Sequence, residues 1–255
     1  MSITHYNIKR ILYPISGPLI LIIFWILINK FNLVNPLYLP SLKDVTKRIF
    51  SFLLGDGIYA IYTTLYRTFF SLLIAGLLAI PLGLFLGFSK KAYAISEVII
   101  DFFRSVPATA FFPIFLLFFG VGDVAKIAIS SFAVFWILLV NTIYGVWGSS
   151  AIRLKVAKVF KASKYKIFTN VIIFDALPQI MIGIRLSISI SLIITIVSEM
   201  FIGTQYGLGK VIYDSYVSYD TTQLFATIFV VGVLGYIINK LFIVFEKKTI
   251  HWVGK

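Results

Sequence analysis

Long apolar runs separated by short polar breaks set the plan of the chain, and within the runs apolar residues are continuous rather than alternating. A helix needs about 20 mostly apolar residues to cross roughly 30 Å of hydrocarbon. A membrane barrel would alternate apolar and polar residues at a period of two, so helices fit better. Six spans are predicted: Ile11–Ile28, about Ile61–Phe88, Ala92–Phe119, Val124–Val146, Ile180–Ile202 and Leu224–Val244. Pro14, Gly17 and Pro18 should break or kink the start of the first, which reads as an anchor rather than a cleaved leader. In the second, Gly76 and Gly83 allow close helix packing. The third is predicted as one long helix bent near Pro107 or Pro113, with a turn at Gly120 and Gly122.

Between the first two spans, "LPSLKDVTKRIFSFL" places Ser41 as an N-cap. Leu42, Val45, Ile49 and Leu53 then form one apolar face, as in a helix lying at the membrane surface. Glu97, Asp101 and Arg104 share another helical face, where Arg104 pairs with Asp101 or snorkels to the cytoplasmic surface. Tyr206, Tyr213, Tyr216 and Tyr219 read as an aromatic belt. Arg67 reads as interfacial, and Asn141 and Asn239 as interhelical hydrogen-bonding groups.

Composition agrees with this plan. The 255 residues are 60% hydrophobic and only 13% charged, against about a quarter charged for soluble domains. There is no cysteine, and His5 and His251 lie near opposite ends, so thiolate chemistry and a histidine metal site are not expected. No cofactor is expected. The net charge of +13 could suggest nucleic acid, but the basic residues lie beside spans rather than beside a stacking platform. Positive-inside loops explain it. With the N-terminus in the cytoplasm, thirteen Lys/Arg fall inside and six outside, the latter Lys30, Lys43, Lys47, Arg48, Lys126 and Lys210. Both termini are then cytoplasmic.

The densest charge lies mid-chain. Arg153, Lys155, Lys158, Lys161, Lys164 and Lys166 follow one another with no acidic residue between Asp123 and Asp175. By itself this is a basic loop against lipid headgroups. It is followed by Pro178, Gly183 and Arg185, in "ALPQIMIGIRL".

That stretch, "ASKYKIFTNVIIFDALPQIMIGIRLSISISLIITIVSEMFIG", resembles the cytoplasmic loop and fifth helix of bacterial ABC importer permeases. "FFRSVPATAFFPIFLLFFGVGDVAKIAI" resembles a second signature, of the branch serving nitrate, sulfonate, taurine, bicarbonate and vitamin-precursor uptake. The resemblance covers about residues 63–246. It implies an all-α integral membrane protein of the type I importer permease fold. One transmembrane domain over 1–255 would carry a coupling loop at about 150–178. The implied partners are a separate ATPase subunit, a second permease copy (identical or related) and an extracytoplasmic substrate-binding protein. The implied setting is the bacterial inner membrane, and the cargo a small solute, an organic anion or vitamin precursor. The resemblance assigns coupling to Lys155, Ala157, Lys158, Phe160, Lys161, Ala162, Pro178, Gly183 and Arg185. In the family pattern a Glu falls at Lys155, a Gly at Lys161, and Leu-Pro is common where Phe174-Asp175 stands. The docking surface therefore keeps its backbone frame and inverts its charge.

Glu199, late in the fifth span, is either a path or gate residue or an interfacial acid. A charge deep in the bilayer costs about 2.5–3.5 kcal/mol, so it should face a partner helix or water. "GLGK" at 207–210 resembles a phosphate loop only superficially: Thr204 stands where Gly is required and Val211 where Ser or Thr is required. ATP hydrolysis is thus expected in the partner, not here. The readings from other classes are a structural membrane subunit and a membrane enzyme. The spans hold no convergent acid, His or Cys constellation of the kind an enzyme needs.

Overall fold

The computed structural model describes the backbone of residues 3–250 and the side chains of residues 16–250. The elements are helical throughout the described residues. They are α1 (Ile3–Lys30), α2 (Leu42–Leu54), α3 (Gly57–Phe88), α4 (Lys90–Ser105), α5 (Phe112–Phe119) and α6 (Asp123–Trp147). Then follow α7 (Ala151–Val159), α8 (Lys164–Ile167), α9 (Ile173–Phe201), α10 (Leu208–Val217) and α11 (Thr221–Thr249).

Four stretches are long and apolar enough to cross a membrane: α3, α6, α8 through α9, and α11. A fifth is added if α4 and the segment 108–119 form one broken span. The described apolar part of α1, Ser16–Lys30, is shorter than a span, and the remainder of the predicted first span lies outside the residues whose side chains are described. His5 and His251 lie there too.

The third helix, predicted to bend near Pro107 or Pro113, is broken there into two pieces at 90°. The sequence explains why. Val106 precedes Pro107 and takes extended backbone, φ −86° and ψ 126°, because the proline ring disfavours a helical residue before it. A 3₁₀ turn, Ala108–Phe111, leads into α5, and Pro113 sits in the first turn of α5, where its missing N–H costs nothing. Gly120 ends α5 with φ 69°, left-handed backbone that suits glycine.

The chain divides into two compact units. One comprises residues 1–58 with 211–230. There the Ser41 cap forms as predicted, its Oγ accepting from the Asp44 N–H at 3.1 Å, and Val45 is the buried residue of the amphipathic α2. Trp25 Nε1 donates to the Pro40 carbonyl at 3.0 Å, its ring meets Phe225 at a tilt of 59°, and Arg48 pairs with Asp220 at 2.8 Å.

The other unit comprises 59–210 with the stretch from 231 onward. Its centre is the packing of α6 on α9. Small residues allow the close approach that membrane helices need in place of a hydrophobic driving force. A Cβ on Gly183 would lie 2.7 Å from Asn141 Cβ, and one on Gly83 would lie 2.6 Å from Thr142 Cβ. Gly76 meets nothing closer than 3.9 Å, so of the two predicted packing glycines in α3 only Gly83 has that role. Buried hydroxyls join the same seam: Ser130 and Ser191 share a hydrogen bond of 3.0 Å, and Gln179 Nε2 donates to Asn141 Oδ1 across α9 and α6.

Candidate functional site: a basic loop and a buried ionic cluster

The basic stretch folds as α7, a tight turn, and α8. Ser150 is the N-cap of α7. The helix closes at Lys161, which takes left-handed backbone (φ 53°) while its N–H donates to the Lys158 carbonyl at 2.9 Å and Ala162 N–H donates to Ala157 at 3.0 Å. This is a Schellman closure, whose left-handed position is usually glycine. A glycine at Lys161 would therefore serve the same backbone.

Asp175 holds the base of the loop. Its carboxylate accepts from the Ser150 backbone N–H at 3.0 Å and pairs with Arg153 at 2.8 Å. Asp175 thus ties the start of α7 to the first turn of α9. The rest of the loop is open. Lys155, Lys158 and Lys161 are exposed, as are Ile152, Val159 and Phe160, with Phe160 81% accessible. Among the described residues none of the five lysines of this stretch is in an ion pair. Ala157 and Ala162 are half-buried beneath them.

Pro178, Gly183 and Arg185 are not on this open surface. Pro178 lies inside α9, after a π-helical turn at Phe168–Ile172. Gly183 is buried against α6. Arg185 pairs with Glu246 on α11. The structure therefore separates the nine residues into an exposed group on the loop and an internal group that seats α9.

A second charged region lies at the Asp123 end of α6. Arg67, only 2% exposed, uses all five of its N–H donors. Nε and Nη2 donate to Asp123 Oδ1 at 2.9 and 2.7 Å. Nη1 donates to Glu199 Oε1 at 2.6 Å and to the Tyr206 carbonyl at 3.0 Å. Nη2 also donates to Thr204 Oγ1 at 2.8 Å. Glu199, equally buried, further accepts from Thr64 Oγ1 and, at 2.9 Å, from the Gly209 backbone N–H. Leu208 N–H donates to Thr64 Oγ1 at 2.9 Å. Glu199 and Thr64 thereby satisfy two of the orphan donors that begin α10. Lys126 is fully buried, its Nζ donating to the Gly122 and Gly203 carbonyls at 3.1 and 3.0 Å.

The cluster accounts for "GLGK". Gly207 has φ 150°, and a Cβ there would come within 2.6 Å of Glu199 Cδ; a Cβ on Gly209 would come within 2.7 Å of Glu199 Cβ. The glycines admit a carboxylate of the same chain rather than a phosphate. Arg67 is correspondingly a hub buried within the protein, and Lys126 is likewise buried. The pairing of Arg67 with Glu199 spans 132 positions, so no local pattern could reveal it. The signal available was an uncompensated Arg in an apolar run and an uncompensated Glu in another.

Residues 79–251 match the model of the family described as binding-protein-dependent transport system inner membrane component. The chain belongs to that family. It is an ABC importer permease, a transmembrane subunit of such a system. The permease is 28% identical over 236 residues to a Bacillus subtilis protein named as an aliphatic sulfonates transport permease, SsuC, covering 92% of this chain and 85% of that one. It is 24% identical over 253 residues to the taurine transport system permease protein TauC of Escherichia coli, covering 97% and 92%. It is 26% identical over 252 residues to the nitrate import permease protein NrtB of a Synechocystis strain, covering 94% and 90%. Its fold is that of a chain in inward-facing structures of the MetNI methionine ABC transporter, with a TM-score of 0.67, 17% identity, and coverage of 75% and 94%. An amino acid ABC transporter structure gives a TM-score of 0.56, 16% identity, and coverage of 75% and 92%. The permease is therefore the type I importer permease fold expected from its two sequence signatures.

Proposed function

We propose that the permease carries a small anion from an extracytoplasmic binding protein into the cytoplasm, powered by a separate ATPase subunit that docks on the loop at 150–178. The observation that supports this most is the loop itself. It is tied at its base by Asp175, yet presents exposed apolar side chains and exposed lysines with no ion-pair partner among the described residues. Such a surface, cationic and greasy at once, fits a protein groove of acidic character. ATP binding to the partner shifts the permease between inward- and outward-open states through this contact. Pro178, Gly183 and Arg185 transmit the motion by fixing α9 to α6 and α11. Glu199, locked by Arg67, holds the opposite end of α9. Two permease copies enclose the path, and both termini are cytoplasmic. The names of the sulfonate, taurine and nitrate relatives favour an anionic cargo.

The test is ATP-driven uptake of taurine, a sulfonate or nitrate into liposomes that hold the permease with its ATPase and binding protein. Uptake should require all three, and the permease alone should hydrolyse no ATP. Single cysteines at Ser163 and Gln205, at opposite ends of α8 through α9, should label from opposite sides of the membrane, Ser163 from the cytoplasm. Hydrolysis by the isolated permease, or labelling from one side, would refute this reading.

A further inference from the structure

Where α4 breaks from the following 3₁₀ turn, a cavity of about 310 Å³ opens. Phe103, Arg104, Pro107, Trp136, Ile190 and Ile194 are among its walls. Trp136 lies at the middle of α6, and Ile190 near the middle of α9, so the cavity is at mid-span. Only two of its lining side chains carry polar groups, Arg104 and Trp136, and both are donors. No carboxylate lines it. Asp101 is the acid beside Arg104, at 3.6 Å with both side chains largely exposed, and it stands outside the lining. Trp136 Nε1 is buried and has no hydrogen-bond partner among the described residues. Phe103 stacks on the indole, rings 5.0 Å apart and 10° from parallel, which fixes its plane.

A cation and an unused N–H on an apolar mid-span cavity form an unbalanced pair. A buried donor without an acceptor is costly, and a weakly paired charge within the spans calls for a counter-charge or water. The guanidinium fork matches two oxygens of a planar or tetrahedral anion, and the volume is that of a small-ligand site. The cluster around Arg67 is different: all five donors of Arg67 are already taken by the chain's own groups. We infer that the cavity at the α4 break is a binding subsite for a small oxyanion (sulfonate, nitrate or carboxylate) in transit, with Arg104 as its charge partner and Trp136 as its second donor. This rests on the transport reading above and names the chemistry of its cargo. A transit site must also release its ion, so binding is weak.

The measurement is saturation-transfer NMR on the full-length permease in lipid nanodiscs, without ATPase or ATP. Methanesulfonate is the probe and tetramethylammonium, at equal ionic strength, the cationic comparison; each has a methyl signal. Methanesulfonate should bind saturably and tetramethylammonium should not. Arg104→Gln should weaken binding about tenfold or more, the effect of losing a charged hydrogen bond. Trp136→Phe keeps a ring on Phe103 and removes only the N–H, and should weaken binding several-fold. Equal binding by parent and Arg104→Gln, or preference for tetramethylammonium, overturns the subsite. If Arg104→Gln does not fold, unchanged binding by folded Trp136→Phe overturns it alone. Because no ATPase is present, a negative result leaves the importer reading standing, and failed uptake with intact binding would have the converse meaning.

Discussion

The coupling loop and the cluster around Arg67 handle charge in opposite ways. In the cluster the buried Arg67 is answered by the buried Glu199 and by the half-exposed Asp123, and it has no donor left for an outside group. In the loop five lysines face outward, and one acid, Asp175, serves the loop's base rather than its lysines. Charge that is buried and satisfied builds architecture: it ties α3, α6, α9 and the start of α10 together. Charge that is exposed and unanswered is available to a second molecule. Charge density alone therefore does not mark a functional surface, and the accounting of partners does.

Breaking the cluster should have the largest effect. Arg67→Ala leaves the Glu199 carboxylate buried without its counter-ion, a change that costs about 3–5 kcal/mol when one partner of a buried pair is lost. Folded yield in detergent and the thermal unfolding midpoint should both fall sharply. Arg67→Ala with Glu199→Gln should lose less than Arg67→Ala alone, because no charge is stranded. If Arg67→Ala is as stable as the parent, the cluster is not structural.

At the base of the loop the effect should be smaller. Asp175→Ala removes the acceptor for Ser150 N–H and the partner of Arg153, which is 63% exposed, so about 1 kcal/mol is at stake. The fold should survive, while hydrogen exchange of the first turn of α7 should accelerate and the ratio of transport to ATP hydrolysis should drop. An unchanged ratio with accelerated exchange would mean that the rigidity of α7 is not used in coupling.

The smallest change sharpens the comparison in the favourable direction. Lys161→Gly removes the left-handed strain of a side chain, worth about 1 kcal/mol, and one of the loop's cations. It should slightly raise the unfolding midpoint. A lower midpoint would contradict the reading of φ 53° as strain.

How much of this was legible beforehand depended on the range of the interaction. Four of the six predicted spans follow from continuous apolar runs, and the Ser41 cap from a local signal. The break at Val106 was only half legible: Pro107 announced a bend, but its size depends on how the two pieces pack. The loop was visible as a run of lysines, and the lysine at the family's glycine position could be noticed, yet its left-handed backbone could not. Asp175 was legible only as a departure from Leu-Pro, because its partners lie 22 and 25 residues away. The pairing at the Arg67 hub was not legible because its acids lie 56 and 132 positions away.

The central claim is that the unanswered lysines of the loop meet an acidic ATPase groove. Lys155→Glu tests it most directly, since Lys155 is exposed and a charge reversal there leaves the interior untouched. The account predicts that the variant folds normally, co-purifies with less ATPase, and supports slower ATP-driven uptake into liposomes. If Lys155→Glu binds its ATPase as well as the parent and transports faster, the acidic-groove account is contradicted, and the lysines are instead a basic surface held against anionic lipid.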